Sequence, residues 1–191
     1  MRFINKKNIE IDRVLSDLDK FTIDFTNILK KHTKYVIVSG YVAILLGRAR
    51  ASEDVDILIP RIDFSTFKNL YSNIRKNNFY CLNAEDKKTV YSYLEDNLAV
   101  RFAKKDTMIP NIEMKWAKHA FDKLALENTI DVLMKNETLC ISNLELQIAF
   151  KEEVLKSLKD LEDAEHIKEV AKEYLDNSLI QKYRKMLNGF Y

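Results

Sequence analysis

The hexapeptide Asp54-Val55-Asp56-Ile57-Leu58-Ile59 constrains this chain more than any other stretch. Its apolar, β-branched content predicts a strand, and residues two apart on a strand leave the same face. Asp54 and Asp56 then converge on one point while Val55, Ile57 and Ile59 turn to the core. Two carboxylates held that close repel each other unless a cation sits between them. Short acidic side chains offer the oxygen ligands that suit Mg²⁺ or Mn²⁺. Just upstream, the apolar run Tyr35-Val36-Ile37-Val38 ends at Ser39-Gly40. A helix starting there leaves backbone N–H groups open to a phosphate. A phosphate cradle beside a metal pair is the pattern of a nucleotide site.

The rest of the chain is ordinary for a globular protein. Its 191 residues are enough to bury a core, and a net charge of +2 does not favour a large nucleic-acid footprint. Three glycines and two prolines against ten Phe and nine Tyr argue for a compact chain with little linker. Cys81 and Cys140 are far apart and not at metal-ligand spacing, which suits a reducing compartment. The N-terminal segment lacks the apolar stretch of a signal peptide, and no run approaches the ~20 residues of a membrane span. A cytoplasmic location without membrane contact is the expectation.

Periodicity divides the chain. Residues 8–32 have mostly helical spacing, followed by a strand at 35–39, a helix at 41–48 and a strand at 54–59 closed by Pro60. A helix over 63–76, a short strand at 79–82 and a helix over 86–95 come next. Strands are predicted at 98–103, 111–116, 129–134 and 138–141, with a helix or turn at 118–126. From 143 onward only helices are predicted: 143–155, 158–173 and 176–187. The fold class is therefore α/β, a mixed sheet flanked by helices and followed by a helical bundle. Residues 1–142 form the expected core and 143–191 a helical region closing a cleft.

On these residues the chain resembles the nucleotidyltransferase superfamily, which includes DNA polymerase β, the aminoglycoside and lincosamide nucleotidyltransferases and the AbiEii-type toxins. The shared pattern is an apolar strand, a Gly-Gly or Gly-Ser pair, a short helix, then Arg-x-Thr-x-Asp-h-Asp with h apolar. Gly40, Gly47, Arg50, Ser52, Asp54 and Asp56 match it. Ser39-Gly40-Tyr41 stands where Gly-Gly or Gly-Ser is commonest, and Ser52 replaces the frequent Thr but keeps its hydroxyl. The resemblance implies a minimal nucleotidyltransferase core with Mg²⁺ or Mn²⁺ on Asp54 and Asp56. Ser39 and Gly40 would cradle phosphates. Arg50 would contact a phosphate, fix Asp54, or pair within its own loop. Arg48 reads as a surface charge.

Such sites usually complete the acceptor-side metal with a third carboxylate. Glu113, in Asn111-Ile112-Glu113-Met114-Lys115-Trp116, is the first candidate, an acid on the polar face of an apolar strand. Asp131, in Ile130-Asp131-Val132-Leu133-Met134, has the same local pattern and is the rival. In the AbiEii-like branch a lysine on a C-terminal helix precedes a Lys/Arg-Asp-h-x-Asp segment, which places Lys151, Lys159, Asp160 and Asp163 in those roles. Lys151 would reach the triphosphate as a point charge, and Asp160 would orient Lys151 or cap the following helix. Ser157 with Asp160 also reads as a plain capping pair, and charge-rich helices commonly just face water.

His166 lies three residues after Asp163 with no further ligand evident, and no Ser-His-Asp or Cys-His arrangement appears. The expected activity is metal-dependent transfer of NMP from an NTP, ATP among them, to a hydroxyl of a small molecule, a tRNA or a protein. A toxin-like role with a partner protein follows from the AbiEii-like similarity alone. A catalytically inactive nucleotide-binding or regulatory protein of the same fold is the alternative, and an RNA-binding adaptor ranks last.

Overall fold

The structure is a computed structural model in which residues 1–189 are described. Nine strands form one mixed sheet. They are β1 (Arg2–Asn5), β2 (Asn8–Glu10), β3 (Val36–Val38), β4 (Asp54–Ile59), β5 (Phe79–Cys81), β6 (Val100–Lys104), β7 (Asn111–Trp116), β8 (Thr129–Met134) and β9 (Glu137–Ser142). Their spatial order is β1-β2-β8-β9-β3-β4-β7-β6-β5. The β8–β9 hairpin is inserted between β2 and β3, and the parallel neighbours are β2 with β8, β3 with β9, and β4 with β7.

Eight α-helices flank the sheet: α1 (Asp17–Leu29), α2 (Gly40–Leu45), α3 (Phe64–Lys76), α4 (Lys87–Glu95), α5 (Ala120–Glu127), α6 (Leu144–Phe150), α7 (Leu158–Val170) and α8 (Asn177–Asn188). Local chemistry starts most of them. The side chains of Ser16, Asp63, Asp86, Asn143, Ser157 and Asp176 each accept a backbone N–H of the first turn that would otherwise be orphaned. Gly47, at φ 98°, takes the left-handed conformation just beyond α2 and turns the chain back toward β4.

The two faces of the sheet bury different residues. Val55, Ile57 and Ile59 of β4 join the larger core with Phe25, Ile28, Phe67 and Phe79. Leu58 faces the other way, with Val36, Phe121, Ala125, Leu146 and Tyr183. Asp54 and Asp56 share the face of Leu58, so the alternation read from the sequence holds.

Two expectations change. Residues 8–10 form a strand rather than the start of a helix, and helix α1 begins only at Asp17. Three residues paired in parallel with β8 need only Ile9 pointing inward, a pattern too short for periodicity to separate from a helical turn. The helix expected over 143–155 is α6 followed by a π-helical turn, Lys151–Leu155, and the helix expected over 158–173 stops at Val170. The strands end at Ser142 and only helices follow. The last two residues of the 143–191 segment, 190 and 191, lie outside the described residues. No helix among the described residues is long and apolar enough to cross a membrane.

Candidate active site

The site lies where β4 and β7 run side by side. Parallel pairing puts Asp54 opposite Asn111, Asp56 opposite Glu113 and Leu58 opposite Lys115. Partners in register leave the sheet on the same face, so the acid two strands of sequence away arrives beside the Asp pair. Asp131 does not. It is exposed on β8 opposite Cys140, with β9 and β3 between it and β4.

Each acidic group has its own neighbour. The Ser52 hydroxyl reaches Asp54, 2.9 Å from its carbonyl and 3.3 Å from Oδ1, and so holds that carboxylate in place. Glu113 accepts from Arg101 of β6 at 3.1 Å and 2.8 Å. Asp56 is pushed up to about 6: burial is the main cause, Lys115 opposes it, Glu113 and Asp54 add repulsion, and the Ser39 hydroxyl pulls back. Asn111 is buried, and its Oδ1 has no hydrogen-bond donor. Repelling carboxylates beside an orphaned acceptor describe a locus short of positive charge.

That donor set fits a hard divalent ion. Mg²⁺ is commonly held by one or two carboxylates, with water and substrate phosphates completing the octahedron. Among the described residues no three acidic, imidazole or thiol side chains gather closely enough to hold a metal by themselves. With Glu113 engaged by Arg101, the protein offers Asp54 and Asp56 as the open pair.

Ser39, between β3 and α2, has φ 64° and ψ −137°, a backbone conformation that a side chain makes costly. This explains why glycine is common at the equivalent place in the pattern. Its N–H donates to Gln147 Oε1 of α6 at 2.9 Å. Next to it, a Cβ on Gly40 would lie 2.9 to 3.1 Å from the Arg50 guanidinium, so glycine is what lets Arg50 lie across the start of α2. Tyr41 fixes the same helix from below, its hydroxyl donating to Asp19 of α1 at 2.7 Å.

Arg50 and Lys151 do not face the carboxylate pair. Both end on Asp163, a fully buried carboxylate of α7, at 2.5 Å and 2.8 Å. Arg48 joins them on Asp163 and also pairs with Glu162 at 2.5 Å. Lys151, only 1% exposed, bonds Asp160 at 3.1 Å as well. Asp160 serves in both of its expected capacities: it orients Lys151, and it exchanges hydrogen bonds with Ser157 at the start of α7. Arg48 is thus no free surface charge, Arg50 pairs across the fold rather than within its loop, and Lys151 is turned away from the cleft. The side chain of Lys159 is exposed. His166 contacts the Leu46 carbonyl at 3.1 Å.

A cavity of about 190 Å³ opens beside Asp56, lined by Ser39, Lys115, Gln147, Phe121, Phe150 and Leu58 among others. Lys115 has no ion pair or hydrogen bond among the described residues, so its ammonium is uncommitted beside the carboxylates. Sequence reasoning missed Asn111, Lys115 and Gln147 as site residues. Only Lys115 carried a signal, its alternation with Glu113 on one face.

With this geometry in hand, solved structures give the comparison. An antigenic nucleotidyltransferase-like protein from Paracoccidioides brasiliensis superposes with a TM-score of 0.50 at 15% identity, covering 91% of this chain and 88% of that one. The antibiotic-resistance factor ANT(2'')-Ia superposes with a TM-score of 0.57 at 13% identity, covering 92% and 95%. The chain has the nucleotidyltransferase fold. Neither a protein-family model nor a curated protein sequence matches it. In this nucleotidyltransferase fold the carboxylate pair sits on a central strand of the sheet, and the knot around Asp163 ties the α2–β4 loop to the C-terminal helices.

Proposed function

We propose that the protein is a metal-dependent nucleotidyltransferase that moves NMP from an NTP to a hydroxyl acceptor. The observation that carries this reading is the oxygen cluster of Asp54, Asp56, Glu113 and Asn111 on adjacent parallel strands of a nucleotidyltransferase fold. A divalent ion, when bound, neutralises charge on the α-phosphate and on the attacking oxygen. Asp54 and Asp56 are the residues that hold it, with Ser52 fixing the first of them.

The acceptor oxygen forms a new bond to the α-phosphorus as the α–β phosphoanhydride bond breaks, and pyrophosphate leaves. Glu113, once released from Arg101, takes the acceptor proton. Lys115 faces the phosphates as a point charge, a role that suits a compact ammonium on a flexible stem. Ser39 and Gly40 bring the opening of α2 to the same phosphates, while Arg50, Lys151 and Asp160 act at one remove by holding that opening in place. The acceptor class is a small molecule, a tRNA or a protein, and a toxin-like role fits the latter two.

A label-transfer assay tests the reading. Each α-³²P-labelled NTP is incubated with Mg²⁺, total tRNA, lysate proteins and the protein itself, with Asp54→Asn/Asp56→Asn as the control. Label that moves to one acceptor and is lost in the variant supports the proposal. Mg-NTP binding without transfer to any acceptor favours the catalytically inactive nucleotide-binding protein instead.

A further inference from the structure

The cavity beside Asp56 has two unlike ends. Ser39, Asp56 and Lys115 make one polar flank, and Val38, Leu58, Phe121, Leu146, Phe150 and Leu155 make the remainder largely apolar. Gln147 lines it and is only 6% exposed. Its orientation is fixed by chemistry: the Ser39 N–H can only donate, so the Gln147 oxygen must be the atom facing it. The –NH₂ group therefore points the other way, and among the described residues it donates to no acceptor. A buried amide donor is seldom left unpaired in a native structure, so its acceptor is to be sought in the ligand.

We propose that this cavity is the nucleobase subsite, with Gln147 Nε2 donating to a ring nitrogen or carbonyl at the edge of the base. The inference rests on the nucleotidyltransferase reading and extends it from the phosphates to the base. Size and lining favour a base over the acceptor. At about 190 Å³ the cavity is smaller than the roughly 300–1,000 Å³ of sites that take drug-sized ligands, and holds a single ring system. Apolar walls that include two phenyl rings match the faces of an aromatic heterocycle, whose polar atoms lie only at its edge. A polyol acceptor would lose water from hydroxyls on every side and find one donor in return.

Gln147→Glu separates the two roles of this residue. It keeps an oxygen for the Ser39 N–H and replaces the donor with a second acceptor. Isothermal titration with Mg²⁺ would compare α,β-methylene analogues of the four NTPs with inorganic tripolyphosphate, which has no base. The variant is expected to weaken the preferred analogue by about tenfold or more while tripolyphosphate binds as before. An analogue that binds Gln147→Glu and wild type alike overturns the subsite but leaves nucleotide binding standing. Wild-type protein that binds no analogue overturns both. If Gln147→Glu does not fold, the wild type decides with a base-less ribose triphosphate. That probe is expected to bind about tenfold more weakly than the NTP analogue, and equal affinity overturns the proposal.

Discussion

Asp56 and Glu113 stand opposite each other on adjacent parallel strands, 57 positions apart in sequence and in direct register. Their mutual repulsion, together with burial, keeps the Asp56 carboxyl at about 6. A carboxyl whose native value exceeds its unfolded value binds protons more tightly when folded. Its contribution to stability is therefore greatest in acid and is lost as pH rises through the range from about 4 to about 6.

Asp56→Asn removes that penalty. Metal-free protein carrying it is expected to be more stable than wild type at neutral pH by about 2–3 kcal/mol, with the difference fading toward pH 4. Urea unfolding in EDTA at several pH values measures this. A difference that does not change with pH would show that Asp56 is not the strained group.

Arg101 competes with any cation for Glu113. Its side chain is half exposed, so the ion pair has the modest strength of a surface contact. Arg101→Gln is expected to tighten Mn²⁺ binding by about twofold to fivefold, read by paramagnetic resonance. Weaker binding in the variant would mean that Arg101 supports the site rather than occupying it.

Asp163 anchors three cations, one of which, Lys151, is buried with it. Asp163→Ala leaves those charges facing one another without their shared counter-ion. A loss of about 3–5 kcal/mol is expected from chemical denaturation, the range for removing one partner of a buried pair. A loss below 1 kcal/mol (about the value of a surface pair) would show that the knot is solvated.

Gly40 and Arg50 are coupled by contact. Gly40→Ala pushes a Cβ into a guanidinium that Asp163 holds in place, so the change is expected to cost about 1–3 kcal/mol in the wild-type background. In an Arg50→Ala background the space is open and the cost should largely vanish. A double-mutant cycle gives the coupling directly, and additive effects would contradict the packing described.

The legible parts of the molecule are those encoded over a few residues. Asp54 and Asp56 converge because strand periodicity is local, and Asn143 and Ser157 start their helices through side chains that cap their own first turns. Glu113 was legible as a candidate but not as a partner of Asp56, because register between β4 and β7 is set by the intervening crossover. The knot was less so. Arg48 and Arg50 lie more than 110 residues from Asp163, and a charged side chain in a loop looks the same whether its partner is water or a distant helix. Gln147 sits among apolar residues of α6, where one amide is unremarkable until the Ser39 N–H is seen to fix its direction. The strand at 8–10 was misread because three residues hold too little pattern to exclude a helix.

The central claim is that Asp54 and Asp56 hold a divalent ion together with a nucleotide. Titration of Mn²⁺ followed by paramagnetic resonance, with and without an α,β-methylene NTP analogue, tests it on wild type and on Asp54→Asn/Asp56→Asn. The account predicts nucleotide-enhanced Mn²⁺ binding by wild type and a loss of about tenfold or more in a variant that remains folded. Equal titrations for the two proteins would contradict it.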